Sequence, residues 1–463
     1  MGGWRSGNVL LARLDSVGDV LLTGPAVRAV AAREAVLPDA GVPSTDPNRF
    51  LVDGGPATPG GDPVRIAMIS EHASPLAGLG TSDAGGQNVH VAALASAVAA
   101  LDHQVTVYTR RDDPRLPEQV PLAPGVTVVH VPAGPPEPIP KDEIPPWVPH
   151  FAKWLQEQWL FERPDVVHSH FWMSGLIALA AARPCAVPVV HTYHALGTVK
   201  RRHLGTADTS PPGRIEAEAR IGRTADLILS TCPDEVDELV RMGIPRQRAR
   251  VVPCGVDLDL FHPNVVPGDQ PDRPRLLSIG RLVPRKGIET IIQALRYLPE
   301  VELVVSGGPP LARLHCDPDA TRLRGEADWA GVADRVVFTG QVPRAEVPAL
   351  MRSAAAVVTV PWYEPFGIVA LEAMACGVPV IASDVGGQKD TVVNEVTGLL
   401  IGPRRPRALA QAVRRLLDDQ DRSTAYGIAG ADRARSRYGW DRIARETVTA
   451  YRGALAQTKR DAS

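Results

Sequence analysis

Residues Pro361–Gly387 read PWYEPFGIVALEAMACGVPVIASDVGG, with two glutamates, Glu364 and Glu372, eight positions apart around a Phe-Gly step. Pro365 keeps Glu364 out of helical angles, whereas Ile368 to Ala375 carries a helical apolar pattern that Gly377 ends. The pattern predicts a helix whose mouth lies at Phe366, Gly367 and Ile368. Glu364 then stands just ahead of it and Glu372 about a turn and a half inside. The unpaired amides of Phe366, Gly367 and Ile368, with roughly half a positive charge from the helix dipole, would face an anion. A nucleotide sugar fits: its diphosphate meets the helix end while one carboxylate accepts sugar hydroxyls and the other ribose hydroxyls. Two solvated glutamates on a surface helix are the bland alternative that this segment alone leaves open.

The rest of the chain bounds that reading. At 463 residues it is too long for one core and suits two domains plus an extension. An apolar content of 44% and a charged content of 22% are those of an ordinary globular protein. A net charge of −2 gives no pull toward nucleic acid or an anionic membrane. The five cysteines, Cys185, Cys232, Cys254, Cys316 and Cys376, are scattered without CxxC spacing, which indicates neither a disulfide framework nor a zinc site. A reducing cytoplasm is the expected compartment. No apolar run reaches the roughly twenty residues of a membrane span, and Arg13, Asp15 and Asp19 interrupt the only candidate signal core.

The chain opens twice. Asn8 to Leu14 and the DSVGDVLLTGPAVRAVAA that follows read as a buried strand, a polar turn and an amphipathic helix, half of a Rossmann unit. Leu37 to Pro63 is rich in Pro, Gly, Asp and Ser or Thr without apolar periodicity, and is expected to be a linker or disordered. A new strand begins at Arg65. From there strands and helices alternate, as doubly wound parallel sheets require. The expected strands of a first sheet, after Arg65–Ser70, are VTVYT, VTVVHV, DVVHSH, VPVVHT, DLILST and ARVVP. Leu258 to Arg273, with several prolines, is the expected hinge. RLLSIG, VELVVSG, RVVFTG, AAVVTV and VPVIAS form a second sheet, and Arg404 onward reads as helices, the last from about Asp441 to Ala456.

Ligands of such sheets lie beyond the carboxyl ends of the strands, so polar groups placed there count most. Arg281 and Lys286 in SIGRLVPRKG follow a strand and precede a helix, where a guanidinium and an ammonium would neutralise a diphosphate. His168, His170, His191 and His194 also fall at strand ends. No carboxylate or cysteine completes a ligand set with them, so no metal is expected, and histidines satisfied by backbone are the expectation for the first three. In TSDAGGQN, Gly85-Gly86 lets backbone approach a phosphate or sugar ahead of a helix starting at Gln87 or Asn88, although a plain turn reads equally well in isolation. Asp83 occupies the last glycine place of a would-be GxGxxG, which weighs against a dinucleotide oxidoreductase.

Taken together, the Glu364 to Glu372 segment, TSDAGGQN, VVHSHFWMSG, VVHTYHALG, PCGVDLDLFHP, SIGRLVPRKG and VVSGGPP resemble the retaining, GT-B-fold glycosyltransferases of family 4, from about Arg65 to the C-terminal region. Within that family the likeness is greatest to the inositol-phosphate-using branch, with sucrose-phosphate synthases more distant. Residues 1–34 separately resemble the N-terminus of heptosyltransferase-like family 9, and the likeness stops there. That segment is therefore expected to be a vestigial or fused appendage, or a misassigned start. Deleting residues 1–60 is expected to leave activity intact, and a folded but inactive truncation would overturn this.

The resemblance implies an α/β protein of GT-B architecture, with two doubly wound Rossmann-like domains facing each other across a cleft. Its expected parts are an extension and linker over 1–62, an acceptor-side domain over 63–262, a nucleotide-sugar-binding domain over 263–435 and a C-terminal helix over 436–463 that packs back on the first domain. It implies a hexosyltransferase that needs no cofactor, with a nucleotide diphosphate sugar (UDP- or GDP-linked) as co-substrate and a hydroxyl acceptor. By resemblance, His194 and Glu364 contact the reacting sugar and Arg281 and Lys286 bind the leaving diphosphate. The donor is also met by Gly85, Gly86, Val342 (nucleobase to backbone), Phe366, Gly367, Ile368 and Glu372. Asp257-Leu258-Asp259 matches the interdomain connection, not a metal-binding DxD. On the acceptor side the resemblance points to Asn88, Lys141, Phe171 and Arg214. Lys141 and Arg214 retain the phosphate-binding cations, but Phe171 replaces a tyrosine and Ala195 a threonine. Each lost hydrogen bond to a charged group is worth about 1.5 to 3 kcal/mol, so markedly weakened recognition of inositol phosphate is expected. A catalytically silent sugar-nucleotide-binding protein and a sugar-nucleotide epimerase of the same fold are the rival readings. The intact set of Glu364, Glu372, Arg281, Lys286 and His194 argues against both.

Overall fold

The computed structural model describes residues 62–77, 85–269 and 272–461. The expectations for the N-terminal extension and for Thr81 to Ala84 of the glycine-rich loop lie outside the described residues. The first sheet holds β1 (Arg65–Ile69), β2 (Gln104–Arg110), β3 (Gln119–Ala123), β4 (Val126–Val131), β5 (Val166–His170), β6 (Val189–Thr192), β7 (Leu227–Ser230) and β8 (Ala249–Val251), in the order β3-β4-β2-β1-β5-β6-β7-β8. The second holds β9 (Arg275–Ile279), β10 (Glu302–Ser306), β11 (Val336–Gly340), β12 (Ala356–Thr359), β13 (Val380–Ser383) and β14 (Gly398–Ile401), in the order β11-β10-β9-β12-β13-β14. Adjacent strands run parallel except for β3, which lies antiparallel on the edge of the first sheet.

Every strand expected from Arg65 onward is present, and two more, β3 and β14, were not expected. β3 contains Pro121, which lacks a ladder donor and is tolerated only at an edge, so QVPLA reads as a loop. β14 is four residues opened by Gly398, where added side-chain bulk would collide with the Val380 carbonyl at 2.4 Å. Central strands such as β5 are buried along their whole length, which is why they read as unbroken apolar runs and not as alternation.

The chain crosses between the two lobes twice, and the crossings lie side by side. Val256 forms a parallel bridge with Gly439, and its amide donates to the Tyr438 carbonyl at 2.8 Å. Gly255 leaves room for Trp440, whose ring would sit 2.4 Å from any Cβ there. Asp257 accepts the amides of Asp259 and Leu260 at 3.1 and 3.0 Å, so its carboxylate stabilises this crossing. Beyond it the helix Trp440–Asp461 returns to the first sheet, burying Ile443, Val448 and Tyr451 against Val91, Leu94 and Val98. The Tyr451 hydroxyl bonds His168 Nδ1 at 2.8 Å. Tyr451→Phe should lower unfolding stability by about 1 to 2 kcal/mol, because it strands a buried imidazole nitrogen. Urea titration measures this, and an unchanged midpoint would show that the hydroxyl contributes nothing.

Candidate active site

Both sheets reverse their winding at a place where two neighbouring strands lead to opposite sides, and in such sheets ligands bind beyond the carboxyl ends there. In the first sheet the reversal lies between β1 and β5, and in the second between β9 and β12. The segments after these strands, Ser70–His72, Phe171, Gly280–Gly287 and Val360–Gly367, carry Phe171, Arg281, Lys286, Glu364, Phe366 and Gly367 of the residues that the sequence singled out.

On the second lobe the loops after β9 and β12 interlock. The Trp362 amide donates to the Arg285 carbonyl at 2.9 Å. Gly287 has φ +72 and lies so close to the β12 loop that a Cβ would stand 2.1 Å from the Val360 carbonyl oxygen, so glycine is required by both angle and space. This packing brings Lys286 Nζ to 2.5 Å from Glu364 Oε2. Burial alone would raise the Glu364 pKa. The charges of Lys286, Arg285 and Arg281, with the Lys286 hydrogen bond, outweigh it and hold the carboxyl below its ordinary value. Arg281 is exposed at the end of β9 and adds to this positive field.

The helix predicted from Ile368 to Ala375 has those bounds. It is apolar on nearly all sides and is buried accordingly, with Gly367 at φ +96 before it and Gly377 at φ +70 after it. Behind its mouth, Gly387 donates to the Glu364 carbonyl at 3.0 Å and a Cβ there would meet the Pro365 carbonyl at 2.4 Å. The VGG triplet at the end of the quoted segment thus backs the Glu364 to Phe366 turn. Phe366 is buried against Tyr438, whereas Ile368 is only half-buried. Glu372 is buried, and its Oε1 accepts from Arg344 Nη2 at 2.7 Å. Burial outweighs that partner and raises the Glu372 carboxyl. Val342, half-buried, follows β11 two residues before Arg344. Arg344 was not singled out from the sequence; its signal was a lone cation after FTGQVP, at the end of a parallel strand.

On the first lobe the helix starts at Gly86, one residue earlier than expected, and Asn88 caps it by accepting the Gly85 amide at 3.1 Å. Asn88 also donates to the Ser74 carbonyl at 2.9 Å and is buried, so its amide is committed to internal bonds. A Cβ on Gly86 would come 3.1 Å from Ile368 Cδ1, which shows how near the second lobe stands. Gly85 has open space around it. Cys232 Sγ donates to the Pro365 carbonyl at 3.3 Å, Lys389 pairs with Asp234 at 3.6 Å, and His203 stacks on Tyr363 at 5.5 Å, all between lobes.

His194 follows β6 with φ +59, a left-handed angle uncommon outside glycine. Its Nε2 lies 3.0 Å from His170 Nδ1. Burial, with the neighbouring imidazoles, keeps both rings neutral well below the usual histidine value. The expectation of backbone-satisfied histidines needs correcting: His168 bonds Tyr451 and Thr192, His191 bonds Ser169, and His170 bonds His194, all through side chains.

Phe171 is buried at φ +79 and faces two cations, with Lys141 Nζ 5.6 Å and Arg214 Cζ 5.0 Å from its ring centre. Arg214 is itself held by Glu218 at 2.8 Å, Ser210 at 3.2 Å and the Ala195 carbonyl at 3.0 Å. Beside Phe171, at 4.9 Å, lies His72, whose Nδ1 contacts Glu71 Oε1 at 2.7 Å. Glu71 also bonds Ser174. Sequence reasoning passed over Glu71 and His72, although their place directly after the central strand β1 was a usable signal.

Two sequence families match in tandem: "Glycosyltransferase Family 4" over residues 84–260 and "Glycosyl transferases group 1" over 265–433. The chain is 39% identical over 418 residues to a D-inositol 3-phosphate glycosyltransferase of Xylanimonas cellulosilytica, covering 85% of this chain and 97% of the relative. It is 37% identical over 420 residues to the protein of the same name from Acidothermus cellulolyticus, covering 86% and 92%. Among solved structures, a sucrose-phosphate synthase from Thermosynechococcus elongatus superposes with a TM-score of 0.77 at 33% identity, covering 85% of this chain and 99% of that one. The Anabaena protein HepE in complex with UDP and glucose shares the fold, with a TM-score of 0.64 at 19% identity over 84% of this chain and 99% of that one. Two tandem matches, full-length relatives and paired parallel sheets that each reverse their winding once agree: the chain is a GT-B glycosyltransferase and belongs to family 4.

Proposed function

We propose that this hexosyltransferase moves a sugar from a UDP- or GDP-sugar to a hydroxyl of a small-molecule or glycan acceptor with retention of anomeric configuration. The observation that carries the reading is the Lys286–Glu364 pair set against the mouth of the Ile368–Ala375 helix. An incoming diphosphate would draw the Lys286 ammonium from Glu364, and the freed carboxylate would accept sugar hydroxyls. Arg281, Lys286 and the amides from Phe366 to Ile368 would stabilise negative charge growing on the departing phosphate, commonly the largest catalytic contribution. That oxygen, on the same face as the acceptor, would take the acceptor's proton as the new glycosidic bond forms. His194, neutral, would hold the sugar as positive charge develops at its anomeric carbon. Glu372 keeps one oxygen for ribose while Arg344 occupies the other, and Val342 would offer backbone to the base. Gly85 and Gly86 let the first lobe approach the donor, and lobe closure would exclude water.

Arg344→Ala should raise the donor KM roughly tenfold, since the unpartnered Glu372 then takes up a proton or turns away. Steady-state kinetics checks this, and an unchanged KM removes Glu372 from the donor site.

On the acceptor side, Phe171 covers the space where Lys141 and Arg214 converge, and Arg214 is already neutralised by Glu218. This favours an acceptor other than the inositol phosphate named for the relatives. The five unpaired cysteines agree with a reducing cytoplasm, and no helix among the described residues is long and apolar enough to cross a membrane. The test is thermal-shift screening of nucleotide sugars, followed by mass spectrometry of products from candidate acceptors with the best donor. A glycoside product supports transfer, whereas sugar-nucleotide isomers alone, or binding without product, overturn it.

A further inference from the structure

We propose that His90, His170 and His194 form a binding site for a late first-row transition metal ion of the Zn2+ type. The site goes beyond the transferase reading, shares His194 with it, and is tested by metal binding alone. The three residues come from three elements: His90 from the first turns of the Gly86–Ala99 helix, His170 from the last position of β5, and His194 from the turn after β6. The fold nevertheless gathers one nitrogen of each within 4.8 Å of the other two. His90 and His170 are buried, at 4% and 0% exposure, and His194 is half-buried.

Three features point to a ligand and not to a packed aromatic cluster. Nδ1 of His90 and Nε2 of His170 are buried without any hydrogen-bond partner, an arrangement that folded proteins rarely leave unexplained. Each neutral imidazole keeps one lone pair, so three ligands become available once the His170–His194 hydrogen bond opens, with no proton to remove. The separations also suit the ion: zinc–nitrogen bonds of about 2.0 to 2.1 Å place tetrahedral neighbours roughly 3.4 Å apart. The 4.8 Å limit for the group admits that value, so small ring shifts complete the geometry.

The surroundings would hold such ligands in place. His168 lies against His170 with ring centres 4.1 Å apart and is itself fixed by Tyr451 and Thr192, while Trp440 meets the His90 ring edge-on at 5.4 Å. The group contains no carboxylate or thiol, so the ion would keep its charge and a fourth position for water or a hydroxyl. A neutral nitrogen set of this kind selects ions of the Co2+ to Zn2+ range over Mg2+ or Ca2+. Sequence analysis expected no metal because it considered only strand-end histidines. The third ligand lies on a helix and joins them only in the folded chain.

The test is titration of the chelator-treated full-length protein with Co2+, read by visible absorption, and with Zn2+, read by calorimetry and by unfolding temperature. One equivalent should bind with the intense visible bands of tetrahedral cobalt, Zn2+ should displace it, and Zn2+ should raise the unfolding temperature. His90→Gln should weaken binding at least about tenfold while circular dichroism stays unchanged. If that variant fails to fold, the half-buried His194→Gln serves in its place. Absence of saturable binding up to millimolar Zn2+, or equal affinity in the folded variant, overturns the site.

Discussion

Lys286→Ala should lower turnover by about two to three orders of magnitude, with a much smaller effect on stability. Lys286 contacts Glu364 directly, and an oriented charge at a developing phosphate oxygen is worth roughly that factor when removed from a water-poor site. The stability loss should be about 2 kcal/mol, because Glu364 loses a hydrogen-bonded partner yet keeps the field of Arg281 and Arg285. The two effects can be separated. In the double variant Lys286→Met with Glu364→Gln no charge is stranded, so stability should recover while turnover stays low. Turnover of Lys286→Ala within about threefold of the parent would remove the lysine from the mechanism.

The parts of this protein legible in the sequence are those governed by local rules. Pro365, Gly367 and Gly377 mark where the Ile368–Ala375 helix can begin and end, and its bounds fall where those residues put them. The parallel strands announce themselves as apolar runs because both faces are buried. Reading stops where a residue's role depends on something distant in sequence. Arg344 meets Glu372 across 28 positions, and His90, on the helix that follows β1, meets His170 and His194 because β1, β5 and β6 lie side by side in the sheet. Phe171 gives a mixed case. Its chemistry was visible as a missing hydroxyl, but not its left-handed backbone or the neutralisation of Arg214 by Glu218. β3 and β14 were hidden for a third reason, since an edge strand with a proline and a four-residue strand after a glycine carry too little pattern.

A second large effect should come from Glu235, a buried carboxyl that none of the sequence motifs touches. Its Oε2 accepts from the Thr231 amide at 2.7 Å and hydroxyl at 3.0 Å, and its Oε1 has no partner. Burial outweighs the Thr231 bonds and lifts the carboxyl from 4.5 to about 7. The native protein therefore holds a proton that the unfolded chain has released. A raised folded-state value gives a stability contribution that is complete below about pH 4.5 and lost progressively as pH rises to about 7. At about 1.4 kcal/mol per unit, the loss amounts to about 3 kcal/mol. Glu235→Gln removes this titration, since glutamine can still accept from Thr231 but cannot ionise. Relative to the parent, the variant should gain about 3 kcal/mol between pH 4.5 and pH 8, whatever constant penalty the unpartnered amide adds. Urea midpoints of both proteins at pH 5 and pH 8 measure the change. A difference that does not vary with pH would mean that Glu235 stays ionised in the folded protein, through a partner or water that reaches Oε1.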